Sequence, residues 1–139
     1  MSKVYTEPAL AALARTIAQT LAPGDNIYLS GELGTGKTTF TRYLLEALNS
    51  PTPASSPTFQ LIDEHTLPNN QVVAHLDLYR LTAPDDLYTS GVMSYINDPQ
   101  TISVVEWPER GEQLLPVPKH HLHLAHRDEQ SRHLTIESK

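Results

Sequence analysis

Two hydrophobic periods alternate along the chain, and the places where one gives way to the other outline its elements. Leu10, Leu13, Ala14, Ile17, Ala18 and Leu21 form one stripe at helical spacing, with Thr6 placed to cap the helix and Glu7 and Pro8 in its opening turn. The turn Pro23-Gly24-Asp25 then introduces Asn26-Ile27-Tyr28-Leu29-Ser30, a short run of β-formers that reads as a strand. Helical spacing returns with Phe40, Leu44, Ala47 and Leu48. It ends in Asn49 to Pro57, where Pro51, Pro53 and Pro57 permit neither a helix nor a central strand.

Beyond that loop, Thr58 to Glu64 and Val72 to Asp77 are expected as two strands, paired antiparallel about a turn at Pro68-Asn69-Asn70. Thr82 to Asp85 opens a short helix that stops at Gly91, while Val92 to Gln100 fits neither period. Ile102 to Trp107 is dense in β-branched residues and is ended by Pro108. His121 to Leu124 and His133 to Ile136 both alternate polar with apolar, around the polar turn Arg127 to Ser131. The pattern therefore predicts an α/β fold, a mixed β-sheet sandwiched between helices and ending in a C-terminal β-hairpin. At 139 residues, a single domain over 1–139 is expected.

Between the second predicted element and the third lies Gly31-Glu32-Leu33-Gly34-Thr35-Gly36-Lys37-Thr38, which satisfies the phosphate-binding pattern G-x-x-x-x-G-K-[ST]. Strand, glycine loop and helix follow in the order that a P-loop NTPase-type domain requires. Glycines let the backbone bend around a β-phosphate with its N–H groups turned inward, Lys37 adds a point charge, and the Thr38 hydroxyl is placed to ligate Mg²⁺. Glu32, Leu33, Gly34, Thr35, Gly36, Lys37, Thr38 and Thr39 are thus the candidate nucleotide contacts. None of the four lysines stands in an Asn/Thr-Lys-x-Asp guanine motif, so ATP is expected over GTP.

Hydrolysis also needs a carboxylate at the end of a neighbouring strand to hold the metal. Asp77, at the end of Val72-Val73-Ala74-His75-Leu76, is the first candidate, a plain strand-end residue being the alternative. Leu78 follows it where many P-loop ATPases carry a water-orienting glutamate. That role passes to Glu106, an acid closing an apolar strand, unless it serves only in a salt bridge to Arg80 or Arg110. Thr58, after Pro57, stands where a switch threonine could return to the γ-phosphate, or simply opens a strand. Trp107 could contact nucleotide or anchor the core. The tail histidines His121 and His123 share a strand face without fixed carboxylate or cysteine ligands and read as a solvated face.

Charge narrows the partners. With 16 acidic against 10 basic residues the net charge is −6, so direct, tight nucleic-acid binding by this chain alone is not expected. There is no cysteine and no apolar run of membrane-spanning length, and a cytoplasmic location without membrane contact is expected.

Gly31 to Thr39, Ser56-Pro57-Thr58-Phe59, His75-Leu76-Asp77-Leu78-Tyr79-Arg80 and Val104-Val105-Glu106-Trp107-Pro108-Glu109 together resemble the bacterial TsaE family, in the family's order and over about the whole chain. The Asp-Leu-Tyr-Arg and Val-Glu-Trp blocks are more specific than the phosphate loop. The resemblance implies an ATPase subunit of tRNA threonylcarbamoyladenosine biosynthesis, acting with TsaB and TsaD, which transfer the threonylcarbamoyl group to the adenosine beside the anticodon in tRNAs reading ANN codons. tRNA would be met indirectly, through that complex. The resemblance further implies that Lys37 and Thr38 bind phosphates and Mg²⁺, that Thr58 belongs to a switch-like loop, that Asp77 and Glu106 serve metal and hydrolysis, and that Trp107 lies close to the nucleotide. Thr35 stands where the family often has alanine, and the family's acidic residues are missing around Gly91 to Tyr95. The competing functions are a small-molecule kinase, for which arginines closing over the transferred group are lacking, and a nucleotide-gated module that hardly hydrolyses.

Overall fold

The structure, a computed structural model, describes residues 3–51, 62–83 and 85–138. Its elements are β1 (Lys3–Thr6), α1 (Glu7–Ala18), β2 (Asn26–Ser30), α2 (Lys37–Ala47), β3 (Ile62–Thr66), β4 (Val72–Asp77), α3 (Asp86–Thr89), α4 (Val92–Ile96), β5 (Thr101–Glu106), β6 (His120–His126) and β7 (Ser131–Ser138). A 3₁₀ segment, Pro108–Leu114, links β5 to β6.

All seven strands join one sheet in the order β1-β7-β6-β2-β5-β4-β3. At its centre β2 is flanked by β5 and β6, parallel to both, and β4 is parallel to β5. The outer pairs β3/β4, β6/β7 and β1/β7 are antiparallel. Every residue of β2 and β5 is buried, as central strands covered on both faces require. Alternation sends Ile27, Leu29, Ile102 and Val104 to one face, where Leu10, Ala14 and Ile17 of α1 and Phe40 and Leu44 of α2 cover them. Tyr28, Ala74, Leu76 and Val105 face the other way, against Leu87 of α3 and Val92, Met93 and Ile96 of α4. Helices thus lie on both faces of a mixed sheet, as the patterning predicts.

Three details differ from the pattern reading. β1 was not foreseen: four residues are too few to show a period, and their pairing partner, β7, comes at the far end of the chain. The ambiguous stretch after Gly91 folds as α4, started by Gly91 at φ 85° and held by burial of Val92, Met93 and Ile96. β3 runs to Thr66 rather than Glu64, because Thr66 still pairs with Val72. The loop from 52 to 57 and the expected strand start at Thr58 lie outside the described residues.

Candidate nucleotide site

β2 delivers the chain to the C-terminal edge of the sheet, and the loop from Gly31 to Gly36 turns there before α2 begins at Lys37. Two glycines in this loop are required by geometry. A Cβ on Gly31 would lie 2.4 Å from the Leu124 carbonyl oxygen, and Gly36 takes φ 103° as the cap of α2. Thr35, where the resemblance suggested alanine, turns inward: its hydroxyl donates to the Glu32 carbonyl at 2.8 Å and the residue is buried.

The C-terminal hairpin braces the same loop. Arg132 Nε donates to the Thr35 carbonyl at 3.1 Å, and the His126 Nε2 group meets the Leu33 carbonyl at 3.2 Å. These are site residues that sequence reasoning missed. Arg132 sits in the polar start of β7, between Ser131 and His133, and nothing local shows that this strand will pass beside the loop.

Lys37, Thr38, Asp77, Glu106 and Trp107 come together, with Leu33, Gly34, Gly36 and Thr39, around one cavity of about 290 Å³. Lys37 is 4% exposed, and its ammonium donates to the carbonyls of Gly31 at 2.5 Å and Glu32 at 2.9 Å. Nζ also lies 4.5 Å from the centroid of the Trp107 ring. Trp107 holds a left-handed backbone, φ 58°, uncommon for a residue with a side chain, and its ring meets Tyr79 at 4.9 Å. Trp107 is therefore a wall of the cavity as well as a neighbour of the core. Burial pushes the Lys37 ammonium below its ordinary value, while Glu106, Asp77, Glu109 and Glu32 pull it back up.

The two carboxylates sit side by side in the sheet, since Asp77 of β4 is in register with Glu106 of β5. Glu106 is 3% exposed; its Oε2 accepts from Thr38 Oγ1 at 3.4 Å and from His75 Nε2 in a short hydrogen bond. The alternative of a salt bridge to Arg80 or Arg110 is not what holds it. Asp77 Oδ1 accepts from the Tyr79 N–H at 3.0 Å. Burial raises the Asp77 carboxyl above its ordinary value; Glu106 adds to this, and the Tyr79 N–H, His75 and Lys37 oppose it.

An enclosed pair of acids beside a threonine hydroxyl is a hard oxygen set with surplus negative charge. A divalent cation relieves both. Among the described residues no cluster of three or more acid, histidine or cysteine ligands exists. Lys37 and the glycine turns suit the phosphates themselves. Thr58 lies outside the described residues, so the switch-loop expectation has no counterpart here.

A second cavity, about 530 Å³, continues from Gly36, Thr39 and Arg132 toward Tyr5, Thr6 and Leu10.

On the other face of the hairpin the tail histidines are not uniformly solvated. His121 Nε2 meets Ser30 Oγ at 2.7 Å and its ring stacks on His123 at 4.0 Å, whereas His123 pairs with Glu137 at 3.0 Å on the surface.

A family model described as "Threonylcarbamoyl adenosine biosynthesis protein TsaE" matches residues 4–134. Among curated relatives, a tRNA threonylcarbamoyladenosine biosynthesis protein TsaE of Haemophilus influenzae is 39% identical over 90 residues, covering 65% of this chain and 56% of that protein. The protein of the same name from Rickettsia felis is 35% identical, over 89% of this chain and 71% of its own length. Of the Haemophilus protein, the match thus spans little more than half. The crystal structure of Bacillus subtilis YdiB is similar with a TM-score of 0.74 and 26% identity, covering 99% of this chain and 84% of that one.

Proposed function

The chain belongs to the TsaE family of threonylcarbamoyl adenosine biosynthesis proteins, and from that premise we propose that it binds and hydrolyses Mg·ATP in support of tRNA threonylcarbamoyl modification, acting with TsaB and TsaD. The observation that carries this reading is the convergence of Lys37, Thr38, Asp77 and Glu106 on one cavity at the N-terminus of α2.

In this reading the loop N–H groups and the positive end of α2 receive the β-phosphate. Lys37 exchanges its two carbonyl partners for β- and γ-phosphate oxygens, which relieves the burial of its charge. Thr38 Oγ1, Asp77 and Glu106 would hold Mg²⁺, directly or through its waters, and the ion supplies neutralisation of phosphate charge. Glu106 also orients the attacking water through Oε1, which has no hydrogen-bond partner among the described residues. A bond forms from the water oxygen to the γ-phosphorus, the bond from that phosphorus to the bridging oxygen breaks, and ADP and phosphate leave. The larger cavity beside Tyr5, Thr6 and Arg132 takes the adenosine.

Among the described residues the transition-state clamp is incomplete. Arg132 is the arginine among the described residues that lines the phosphate cavity, and its guanidinium is engaged by the carbonyls of Thr35, Asp128 and Ser131. TsaB and TsaD therefore supply the stimulation, and the tRNA, in the cytoplasm. No helix of the described residues is long and apolar enough to cross a membrane.

Phosphate release from Mg·ATP, measured for the chain alone and with TsaB and TsaD, tests the proposal. Slow turnover alone that rises with the partners is expected. Absence of ATP binding by calorimetry at millimolar Mg·ATP would defeat it, and ADP formed without phosphate in the presence of a metabolite acceptor would favour the kinase reading.

A further inference from the structure

β4 is buried, yet at its centre the strand carries an imidazole. His75 is fully buried, in a position where the neighbouring residues Val73, Ala74 and Leu76 are apolar. A polar group in such a place costs stability unless a partner satisfies it. Its Nε2 has one, Oε2 of Glu106, while its Nδ1 is buried with no hydrogen-bond partner among the described residues.

That asymmetry favours one tautomer. An ionised carboxylate only accepts, and a hydrogen on Nδ1 would be buried without an acceptor, so the neutral ring with its hydrogen on Nε2 satisfies the position best. Glu106 is then held at Oε2 from two sides, by the His75 N–H and by Thr38 Oγ1, the hydroxyl at the start of α2. Its other oxygen, Oε1, has no hydrogen-bond partner among the described residues, and Glu106 lines the cavity. Alternation along the strands brings the three groups together: His75 and Asp77 share one face of β4, and Glu106 lies on the same face of the adjacent β5.

We propose that His75 is a positioning residue for Glu106, its Nε2–H fixing the carboxylate rotamer so that Oε1 faces the phosphate cavity. The inference rests on the ATPase reading above and deepens it. Without the N–H, Glu106 keeps only the long contact to Thr38, and its carboxylate turns freely about its last torsion. The imidazole is fully buried and does not line the phosphate cavity, so its effect is carried by the orientation of Glu106.

Two measurements decide it. In the wild-type chain, long-range proton–nitrogen correlation spectra should show His75 as the Nε2–H tautomer, with a strongly downfield Nε2 proton that moves upfield in Glu106→Ala. An Nδ1–H tautomer, or an Nε2 proton unaffected by Glu106→Ala, would overturn the proposal without reference to activity. In the second measurement, His75→Leu should lower kcat for ATP by about tenfold or more, with ADP affinity within about twofold of wild type. His75→Gln, whose amide N–H reaches the place of Nε2, should recover most of that loss; His75→Asn, one bond shorter, should not. Equal activity of the Gln and Asn variants, or wild-type kcat in His75→Leu, would return the residue to a structural role. If the wild-type chain hydrolyses no ATP even with its partners, the functional reading fails, and the tautomer measurement alone decides the hydrogen bond.

Discussion

Lys37 Nζ lies 4.5 Å from the centre of the Trp107 ring while donating to the carbonyls of Gly31 and Glu32. A buried ammonium is thereby kept satisfied by its own loop and by an aromatic face, and nucleotide phosphates must take over those contacts. Mg·ATP at 100 times its dissociation constant should stabilise the protein by ~2.7 kcal/mol, about 8 °C in melting temperature for a chain of this size. Lys37→Ala should lose most of that gain. Because Trp107 is the only tryptophan, its emission should also change on ADP binding, and the change should vanish in Lys37→Ala.

Glu106 and Asp77 stand in register on adjacent strands but hold different partners. Glu106→Ala should lower ATP turnover about a hundredfold or more while leaving ADP affinity nearly intact. Asp77→Ala should lower both turnover and Mg²⁺-dependent affinity. The double variant should be little worse than the worse single one, since both act on one arrangement of metal and water. Single-turnover phosphate release and calorimetry together check all three.

Gly31 tests the fold of the loop separately from its chemistry. A methyl group there meets the Leu124 carbonyl at 2.4 Å and the Thr35 hydroxyl at 2.7 Å, and the φ of 149° suits glycine. Gly31→Ala should destabilise the chain by about 3 kcal/mol through strain and overpacking, read as a lower urea midpoint without nucleotide.

His120 links stability to pH. Its ring is buried between Thr20 and Ser138, with hydroxyl partners at 2.9 and 2.8 Å, and burial, helped by Lys119 and opposed by Asp25, holds it below the ordinary imidazole value of 6.5. The unfolded chain then takes up a proton more readily than the folded one, so stability falls as pH drops below 6.5. Urea midpoints at about pH 7 and about pH 5 should show a smaller loss in His120→Asn than in wild type. His121, held low chiefly by its own burial, retains part of the slope.

What the sequence disclosed of this site was its contiguous part. Gly31 to Thr38 is a local motif, Asn26–Ser30 and the carboxylates Asp77 and Glu106 end recognisable strands, and all converge in the structure. Arg132 and His75 were not legible as site residues for a different reason. Each is a polar residue inside a strand whose role exists only through a neighbour distant in sequence, Thr35 of the phosphate loop for one and Glu106 on β5 for the other. The four-residue β1 escaped similarly, since long-range pairing rather than local preference makes it a strand.

The sheet described here begins with β1 and ends with β3, and these two strands decide how it meets other molecules of its kind. An outermost strand exposes a row of unpaired backbone groups on which a foreign strand can grow. β1 is four residues long and carries Lys3; β3 carries Asp63 and Glu64. Charge and shortness make both poor templates, while β5, rich in β-branched residues, lies inside the sheet between β2 and β4, out of reach. Among the described residues, short charged edge strands and a fully covered β5 therefore leave this sheet few places on which a foreign strand can grow.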